Sequence, residues 1–265
     1  MKTRMVRVRR AEPVRRAAAL FLLALGAFVW LTARRGDPVA AILSARDAER
    51  TAAQVVFDPL ALHAVRTAVC DSEAAARVEA ARYASRGAAG FILRREVWHV
   101  LAAGYDTAEE ADAVRDGLRE KEGMSCDTVS LVCGPARLRV TATAEQTAAL
   151  TGCEAALRES AALVASLSRA VDRGEASVSQ AAAVLEAQRA ALEEARSRLA
   201  AAAGEAADPR VVSPLLALAA RAEQGLSGLT GERAAPPAML FSGRMKALFL
   251  SMRTEEIDYL ASLGG

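Results

Sequence analysis

Few side chains in this 265-residue chain have the types and spacing that chemistry requires. Metal ligation needs short clusters of cysteine and histidine, and no cysteine here forms a CxxC pair or a Cys/His group with ligand spacing. His63 and His99 are far apart in the chain, so neither has a second histidine at ligand distance. The sequence therefore predicts no metal and no cofactor.

Catalytic motifs are missing as well. Gly225-Leu226-Ser227-Gly228 is similar to the G-x-S-x-G motif of a nucleophile elbow, but its last glycine is out of register. The chain has no phosphate-binding loop, no HExxH and no dinucleotide-binding fingerprint. Acidic residues are plentiful, and solvated helix faces explain them. We therefore expect a protein that is not an enzyme.

An apolar run near the N-terminus predicts membrane insertion. Residues 17–33 read AAALFLLALGAFVWLTA without a charge, which is near the lower length limit for a helix that crosses a bilayer. Seven cations precede the run and two, Arg34 and Arg35, follow it, so residues 1–16 are expected to be a cytoplasmic tail. The alternatives are a buried core helix and a cleaved signal peptide; Leu31-Thr32-Ala33 gives no clear small-x-small cleavage site. The predicted location is the cytoplasmic membrane, single-pass, with the C-terminal domain outside.

Charge is unevenly distributed along the chain. The first 16 residues hold seven of the 34 cations and one of the 32 acids, so the remainder is slightly negative although the whole chain is +2. Membrane topology accounts for the basic tail, and nothing else has the basic footprint of a nucleic-acid-binding surface. Nucleic acid is therefore not an expected partner.

The four cysteines lie on the predicted outer side, where disulfides can form. Three pairings are possible among Cys70, Cys126, Cys133 and Cys153, and the sequence does not choose one. Buried free thiols are the alternative.

Residues 61–133 contain an internal repeat at an offset of 35 residues. In each copy a strand-like segment is followed by a polar pair, Asp71-Ser72 or Asp106-Thr107, that opens a helix. Gly87 and Gly123 end the two helices at equivalent places, and another apolar segment follows each glycine. The order β-α-β, repeated once, predicts one four-stranded antiparallel sheet with two helices on one face and an open second face.

This segment resembles the SPOR domain, a small extracytoplasmic module of bacterial division and sporulation proteins. Residues 98–105, WHVLAAGY, fit the family's second strand, Tyr-Arg-Val-x-Val-Gly-x-Phe, and Asp106-Thr107 and Ala111 follow in its pattern. The likeness covers about 70 residues of the chain. It implies binding of peptidoglycan glycan strands stripped of their stem peptides, on the open sheet face. A basic N-terminus, one membrane helix and such an outer module form a common layout in the family.

The first strand departs from the family's Val-Gln-Val-Gly-x-Phe pattern. Arg66 replaces the glutamine, Ala68 the glycine and Cys70 the aromatic residue; in the second strand Ala103 replaces the glycine. The alternative function therefore keeps the fold without the ligand: an extracytoplasmic protein-interaction scaffold that has lost glycan binding.

Side-chain alternation along the strands selects a candidate glycan site. Because the repeat makes Arg66 equivalent to Leu101 and Cys70 equivalent to Tyr105, the open face is expected to carry Arg66, Cys70, His99, Leu101 and Tyr105. Arg66 would donate hydrogen bonds to sugar oxygens, while Tyr105 and His99 would supply stacking or polar contacts. The competing interpretations are a merely solvated Arg66 and a Tyr105 that closes the helix-facing core.

The C-terminal part, residues 144–263, is alanine-rich and predicted to be helical. Gly174 separates two runs of apolar residues spaced by seven, which indicates two helices packed as an antiparallel hairpin. The runs are Leu150, Leu157, Val164 and Val171, then Val178, Leu185, Leu192 and Leu199. A last amphipathic helix over 239–263 either closes a bundle with the hairpin or lies on a partner or membrane. Residues 37–60 are expected to be a juxtamembrane linker or helix.

The expected fold class is α+β: an N-terminal transmembrane helix over 17–33, a βαββαβ SPOR-like domain over 61–133 with a four-stranded antiparallel sheet and two helices, and a C-terminal α-helical hairpin or bundle. The expected function is that of a membrane-anchored cell-envelope protein, active in division or sporulation, that binds denuded glycan strands and contacts envelope or septal proteins. A sheet face covered by residues 144–263 would favour the scaffold instead. A wall-modifying enzyme is a third class, which a carboxylate cluster in a cleft would indicate.

Overall fold

The structure, a computed structural model, describes residues 50–203, 208–231 and 236–264. The predicted basic tail at 1–16, the predicted transmembrane helix at 17–33 and most of the stretch 37–60 lie outside these residues. Within the described ranges, no helix has both the length and the apolar character needed to span a bilayer.

The described residues form six strands and six helices. All six strands and two of the helices lie in the first part of the chain, and the other four helices follow them. In chain order they are β1 (Thr51–Phe57), β2 (Leu60–Cys70), α1 (Glu73–Ala84), β3 (Phe91–Arg94), β4 (Trp98–Tyr105), α2 (Ala108–Glu122), β5 (Asp127–Cys133), β6 (Ala136–Ala142), α3 (Ala144–Asp172), α4 (Val178–Ala203), α5 (Pro209–Thr230) and α6 (Ala238–Leu263).

Four strands make the main sheet, in the spatial order β3-β4-β2-β5, with every neighbouring pair antiparallel. This is the strand order of a split βαβ, ferredoxin-like unit. β1 and β6 pair separately and continue the β2–β5 ribbon as a second, two-stranded sheet. Pro59 and Pro135 lie in the two connections between the ladders. Because proline has no N–H to donate, the hydrogen-bond ladder is interrupted there and one long ribbon becomes two sheets.

Local sequence signals set the ends of the two helices that follow β2 and β4. Ser72 and Thr107 are N-caps whose side chains accept hydrogen bonds from the backbone N–H groups of Ala75 and Glu110. Gly123 ends α2 in the left-handed region, with φ +62. Polar caps and a glycine stop therefore hold α1 and α2 in place beside the sheet.

Two irregularities lie side by side where β2 pairs with β4. The register skips Thr67 on β2 and Ala102 on β4, on either side of the Arg66–Leu101 pair. An extra residue reverses which sheet face the following side chains take. Simple alternation along these strands therefore fails beyond the Arg66–Leu101 pair.

Helix α6 covers the sheet face that the sequence predicts to be open. Its Leu250 lies so close to β4 that a Cβ atom on Gly104 would be 2.6 Å from Leu250 Cδ2 and 2.8 Å from Leu62 Cδ1. Leu101 is fully buried in the same core. Helices α1 and α2 pack against the other face, where Ala76, Ala80 and Val100 form a smaller core. Both faces of the main sheet are thus occupied.

Helices α3 and α4 form the predicted antiparallel hairpin, and α5 and α6 complete a four-helix layer with it. Seven of the eight apolar residues spaced by seven are buried, Val178 being the partly exposed one. α6 packs against α3, α5 and the sheet, so its apolar residues face several directions. A helix that is apolar on several sides becomes a central element and does not lie on a surface.

The predicted fold class is therefore wrong as a whole. The chain is α+β, but it has two sheets, the expected open face is covered, and four C-terminal helices share one core with the sheet. No membrane-spanning helix occurs among the described residues. Strand β1 also occupies Thr51–Phe57, where the sequence predicts a linker or helix.

Candidate functional site

The five residues predicted to bind glycan do not share one surface. Leu101 is buried under α6, and Cys70 packs with the core of α1 on the opposite face. Tyr105 lines a cavity beside α2 and α3. Arg66 and His99 are the pair that the structure brings together. The skipped residues at Thr67 and Ala102 explain the positions of Cys70 and Tyr105, because they break the alternation on which the prediction rests. Leu101 pairs with Arg66 and keeps the predicted face, which α6 covers.

Arg66 joins three strands through two partners. Its Nε donates to Asp127 Oδ1 at 2.8 Å, its Nη2 also binds Asp127, and its Nη1 is 3.0 Å from His99 Nδ1. An arginine can only donate, so His99 Nδ1 accepts and its proton lies on Nε2. Bidentate pairing of this kind fixes geometry as well as charge. Arg66 is therefore a clamp between β2, β5 and β4, with few donors left for a sugar.

The charges of this clamp shift the titration of its members. Burial and the Arg66 charge lower the pKa of His99, which favours the neutral ring. The hydrogen bonds from Arg66 lower the pKa of Asp127, which favours the carboxylate. Both shifts favour the paired arrangement at neutral pH and indicate a structural role.

A cavity of about 380 Å³ opens beside the end of β4 and is here called the Tyr105 cavity. Its walls come from the loop after α1, the second half of α2, the end of α3, and α6. Small or apolar residues line most of it: Ala88, Ala102, Ala103, Gly104, Val114, Leu118, Met124, Ala165 and Phe249. The volume and the apolar lining are typical of a binding pocket.

Several polar groups converge on the Tyr105 cavity. Lys246 forms an ion pair with Asp172 at 2.8 Å and donates to the Gly87 carbonyl at 3.1 Å, so it ties α6 to α3 and to the α1–β3 loop. Arg169 lies 3.9 Å from Glu110, beyond hydrogen-bond distance. Burial raises the pKa of Tyr105 to about 12, so its hydroxyl stays protonated. The cavity thus combines an apolar lining with available donors.

A second charged cluster is buried where α3, α6 and the sheet meet. Arg253, only 6% exposed, contacts Glu256 at 3.2 Å and Asp106 at 3.4 Å. Arg158 contacts Glu256 at 3.2 Å and donates to the Asp58 carbonyl at 2.7 Å. Burial raises the pKa of Glu256 in spite of both arginines. We call Arg253, Glu256, Arg158, Glu154 and Asp106 the buried charge cluster; it links the helical layer to the sheet.

A wider concavity of about 850 Å³ lies between β6 and the ends of the four C-terminal helices. Its Asp208 and Arg210 are bound to each other at 3.1 Å, and Asp208 also caps α5. Its strand β6 pairs with β1 alone, so it too has an edge without a strand neighbour among the described residues. The Tyr105 cavity has the more apolar lining and is therefore the better candidate binding site.

The sulfur and metal chemistry of the described residues is limited. All four cysteines are free thiols, and Cys126 and Cys153 are buried. Burial raises the pKa of Cys153 to about 11, which keeps that thiol protonated and unreactive. In the described part of the chain, no group of three or more His, Cys, Asp or Glu side chains is arranged to hold a metal ion.

No family model, curated protein or solved structure matches this chain. The support for a function therefore comes from the geometry and the sequence of this chain.

The sequence did not predict the Tyr105 cavity or the buried charge cluster. The Tyr105 cavity is assembled from five elements that are distant in the sequence, so no local pattern marks it. A partial signal existed for the buried charge cluster, because Arg253 and Glu256 lie on a helix that is apolar on several sides. Charges at such positions must be paired within the core.

Proposed function

We propose that this chain is a non-enzymatic protein-interaction scaffold of the cell envelope. The proposal keeps the ferredoxin-like unit and drops glycan binding by its sheet. It includes the expected location at the cytoplasmic membrane, for which the support is the cationic and apolar sequence of residues 1–33.

The observation that carries the proposal is the packing of α6 on the sheet. Glycan recognition on this face needs exposed polar and aromatic side chains at alternate positions. Leu62, Leu101 and Gly104 lie there against Leu250 and Phe249, and the space between them does not admit even one added Cβ atom without movement. Exposing the face would require the helix to leave a core that it shares with α3 and α5.

The state of Arg66 also supports the scaffold. A sugar-binding arginine would keep its guanidinium N–H groups available. In Arg66, however, all three guanidinium nitrogen atoms already donate hydrogen bonds to Asp127 or His99. The residue predicted to lead glycan binding is instead a cross-strand clamp.

Co-sedimentation with peptidoglycan tests the proposal. The full chain is incubated with isolated peptidoglycan before and after amidase removal of the stem peptides, and a SPOR domain with an intact Val-Gln-Val-Gly-x-Phe strand serves as the positive control. We expect no enrichment on stripped glycan and no effect of Arg66→Ala. Binding that rises on stripping and falls with Arg66→Ala would overturn the proposal in favour of glycan recognition.

A second arm tests the scaffold directly. Cross-linking in intact cells, followed by purification of the full chain, is expected to retain a protein partner in stoichiometric amount. Recovery of the chain alone would contradict a scaffold role. Fractionation of the same cells checks the location, since the chain is expected to stay with membranes after an alkaline wash.

A further inference from the structure

We propose that the Tyr105 cavity binds the C-terminal tail of a partner protein, taken up as an extended segment along the free end of β4 with its terminal carboxylate among the cavity's arginines. The proposal rests on the scaffold function and names the class of partner. Three independent features of the cavity support it.

The first feature is a strand edge without a neighbour. β3 is only four residues long, and its pairing with β4 ends at the Phe91–Leu101 rung. Beyond that rung the Ala102 carbonyl accepts from the Ala89 N–H at 2.7 Å, and the described residues supply no further strand on that side of β4. Residues 103–105 therefore pair with β2 alone, and an extended peptide can take the place that β3 leaves empty.

The second feature is the apolar lining next to this edge. Ala103 and Gly104 lie on the strand itself, and Val114, Leu118 and Phe249 add larger apolar surfaces. In an extended peptide alternate side chains point to opposite sides, so one of the last two can enter the cavity. A cavity of about 380 Å³ has room for such a side chain together with the adjoining backbone.

The third feature is a pair of guanidinium groups with free N–H donors. The Arg169 side chain has an ion pair with Glu110 at 3.9 Å and no hydrogen bond among the described residues, and the Arg86 side chain has neither a hydrogen bond nor an ion pair within the described chain. Asp172 is engaged by Lys246, which leaves Glu122 as the one lining carboxylate without a described partner. Both guanidinium groups therefore keep N–H donors for a carboxylate, which a peptide's C-terminus supplies at its end.

The test uses the purified full chain and two arrays of tetrapeptides. Both arrays carry random residues at the first three positions and Ala, Val, Leu or Phe at the last; one presents free carboxylates and the other C-terminal amides. We expect retention on the carboxylate array and about tenfold less on the amides, because hydrogen bonds to a charged group are the strong ones.

Three variants separate the cavity from the rest of the surface. Arg169→Gln is expected to lower retention about tenfold, and Tyr105→Phe to lower it a few-fold, since each removes donors without changing the apolar packing. Arg198→Gln, on the exposed side of α4 where it pairs with Glu194, is the matched control and is expected to bind as the wild type does. Circular dichroism of each variant verifies that it is folded.

The proposal is overturned by absence of retention on both arrays, by equal retention on carboxylates and amides, or by unchanged retention of folded Arg169→Gln. None of these outcomes bears on the co-sedimentation with peptidoglycan. If the chain binds neither stripped glycan nor free C-termini, the proposed scaffold function stands and only the proposed peptide site is rejected. A chain that binds stripped glycan would lose the proposed function whatever the arrays show.

Discussion

Gly243 of α6 lies directly against the main chain of Ala88: a Cβ atom at position 243 would meet the Ala88 carbonyl oxygen at 2.8 Å and the Gly87 carbonyl carbon at 3.1 Å. The neighbours are backbone atoms, which cannot move away by a change of rotamer as the end of a side chain can. The closeness lets Lys246, one turn further along α6, reach the Gly87 carbonyl. The helix and the loop after α1 thus fit together because residue 243 has no side chain.

Gly243→Ala is therefore expected to destabilise the fold by about 1–3 kcal/mol, the usual range for overpacking. This would outweigh the gain of up to about 1 kcal/mol that alanine normally gives over glycine inside a helix. Urea denaturation followed by circular dichroism measures the difference in the free energy of unfolding.

Gly152→Ala in α3 is the matched control for Gly243→Ala. It is also a helix-interior glycine, but it is exposed and a Cβ atom there would meet nothing within 4 Å. It is expected to stabilise the protein by about 0.5–1 kcal/mol. Equal effects of the two substitutions would contradict the close packing of α6 on the loop.

The local elements of this fold can be read from the sequence, whereas its layers cannot. Ser72, Thr107 and Gly123 mark helix ends through backbone hydrogen bonds and a left-handed turn, which depend on neighbouring residues only. The hairpin of α3 and α4 follows from a repeat of seven residues in the same way. Whether α6 lies on the sheet or on a partner depends on contacts with residues such as Leu62 and Gly104, which lie more than a hundred positions earlier in the chain.

The candidate site shows the same limit. The prediction places Arg66 and His99 on one face, and they do lie together, because Arg66 pairs with Leu101 and no irregularity separates Leu101 from His99 on β4. The skipped residues Thr67 and Ala102 separate Cys70 and Tyr105 from the Arg66–Leu101 pair. No sequence pattern predicts these two irregularities. One extra residue per strand is enough to redistribute the predicted site over two faces.

Arg253→Met tests the buried charge cluster. Removing the arginine leaves Glu256, 4% exposed, with Arg158 as its remaining cation. Breaking a buried ion pair by removing one partner costs about 3–5 kcal/mol, and the contact that remains with Arg158 puts the expected loss at the lower end of this range. Urea denaturation should show a loss of that size in the free energy of unfolding. An exposed arginine in an ion pair, Arg198, provides the comparison, since Arg198→Met is expected to change stability by less than about 1 kcal/mol.

The double variant Arg253→Met/Glu256→Leu distinguishes lost attraction from stranded charge. Apolar replacement of both members of a buried ion pair is often neutral or stabilising. We expect the double variant to recover most of the stability lost in Arg253→Met. A double variant as unstable as the single one would show that the cost comes from the shape of the arginine and not from its charge.

The titration of His99 should appear in the acid limb of the stability curve. Its pKa is lowered in the folded state, through burial first and then through Arg66 and Arg95, with Asp127 opposing them. A ring whose folded pKa is depressed takes up protons more readily when unfolded, so stability falls as the pH drops below the ordinary value of 6.5. His99→Asn cannot titrate in this range. The difference in unfolding free energy between wild type and variant should therefore shrink from about pH 7.5 to about pH 5; a difference that stays constant would contradict the assignment.

Glu256 should act in the opposite sense as the pH rises. Burial raises its pKa above the ordinary value of 4.5; Arg253 and Arg158 lower it in part, and Glu154 adds to the rise. An acid with a raised folded pKa stabilises the protein most when it is protonated, and that contribution is lost as the pH rises from the unfolded pKa through the folded one. Glu256→Gln has nearly the shape of the protonated acid and does not ionise, so its stability relative to wild type is expected to improve steadily from about pH 4 upwards. Urea midpoints measured at intervals across this range provide the check. A relative stability that falls with rising pH would mean that attraction to the two arginines outweighs the desolvation of the carboxylate, and the cluster would then be a net source of stability at neutral pH.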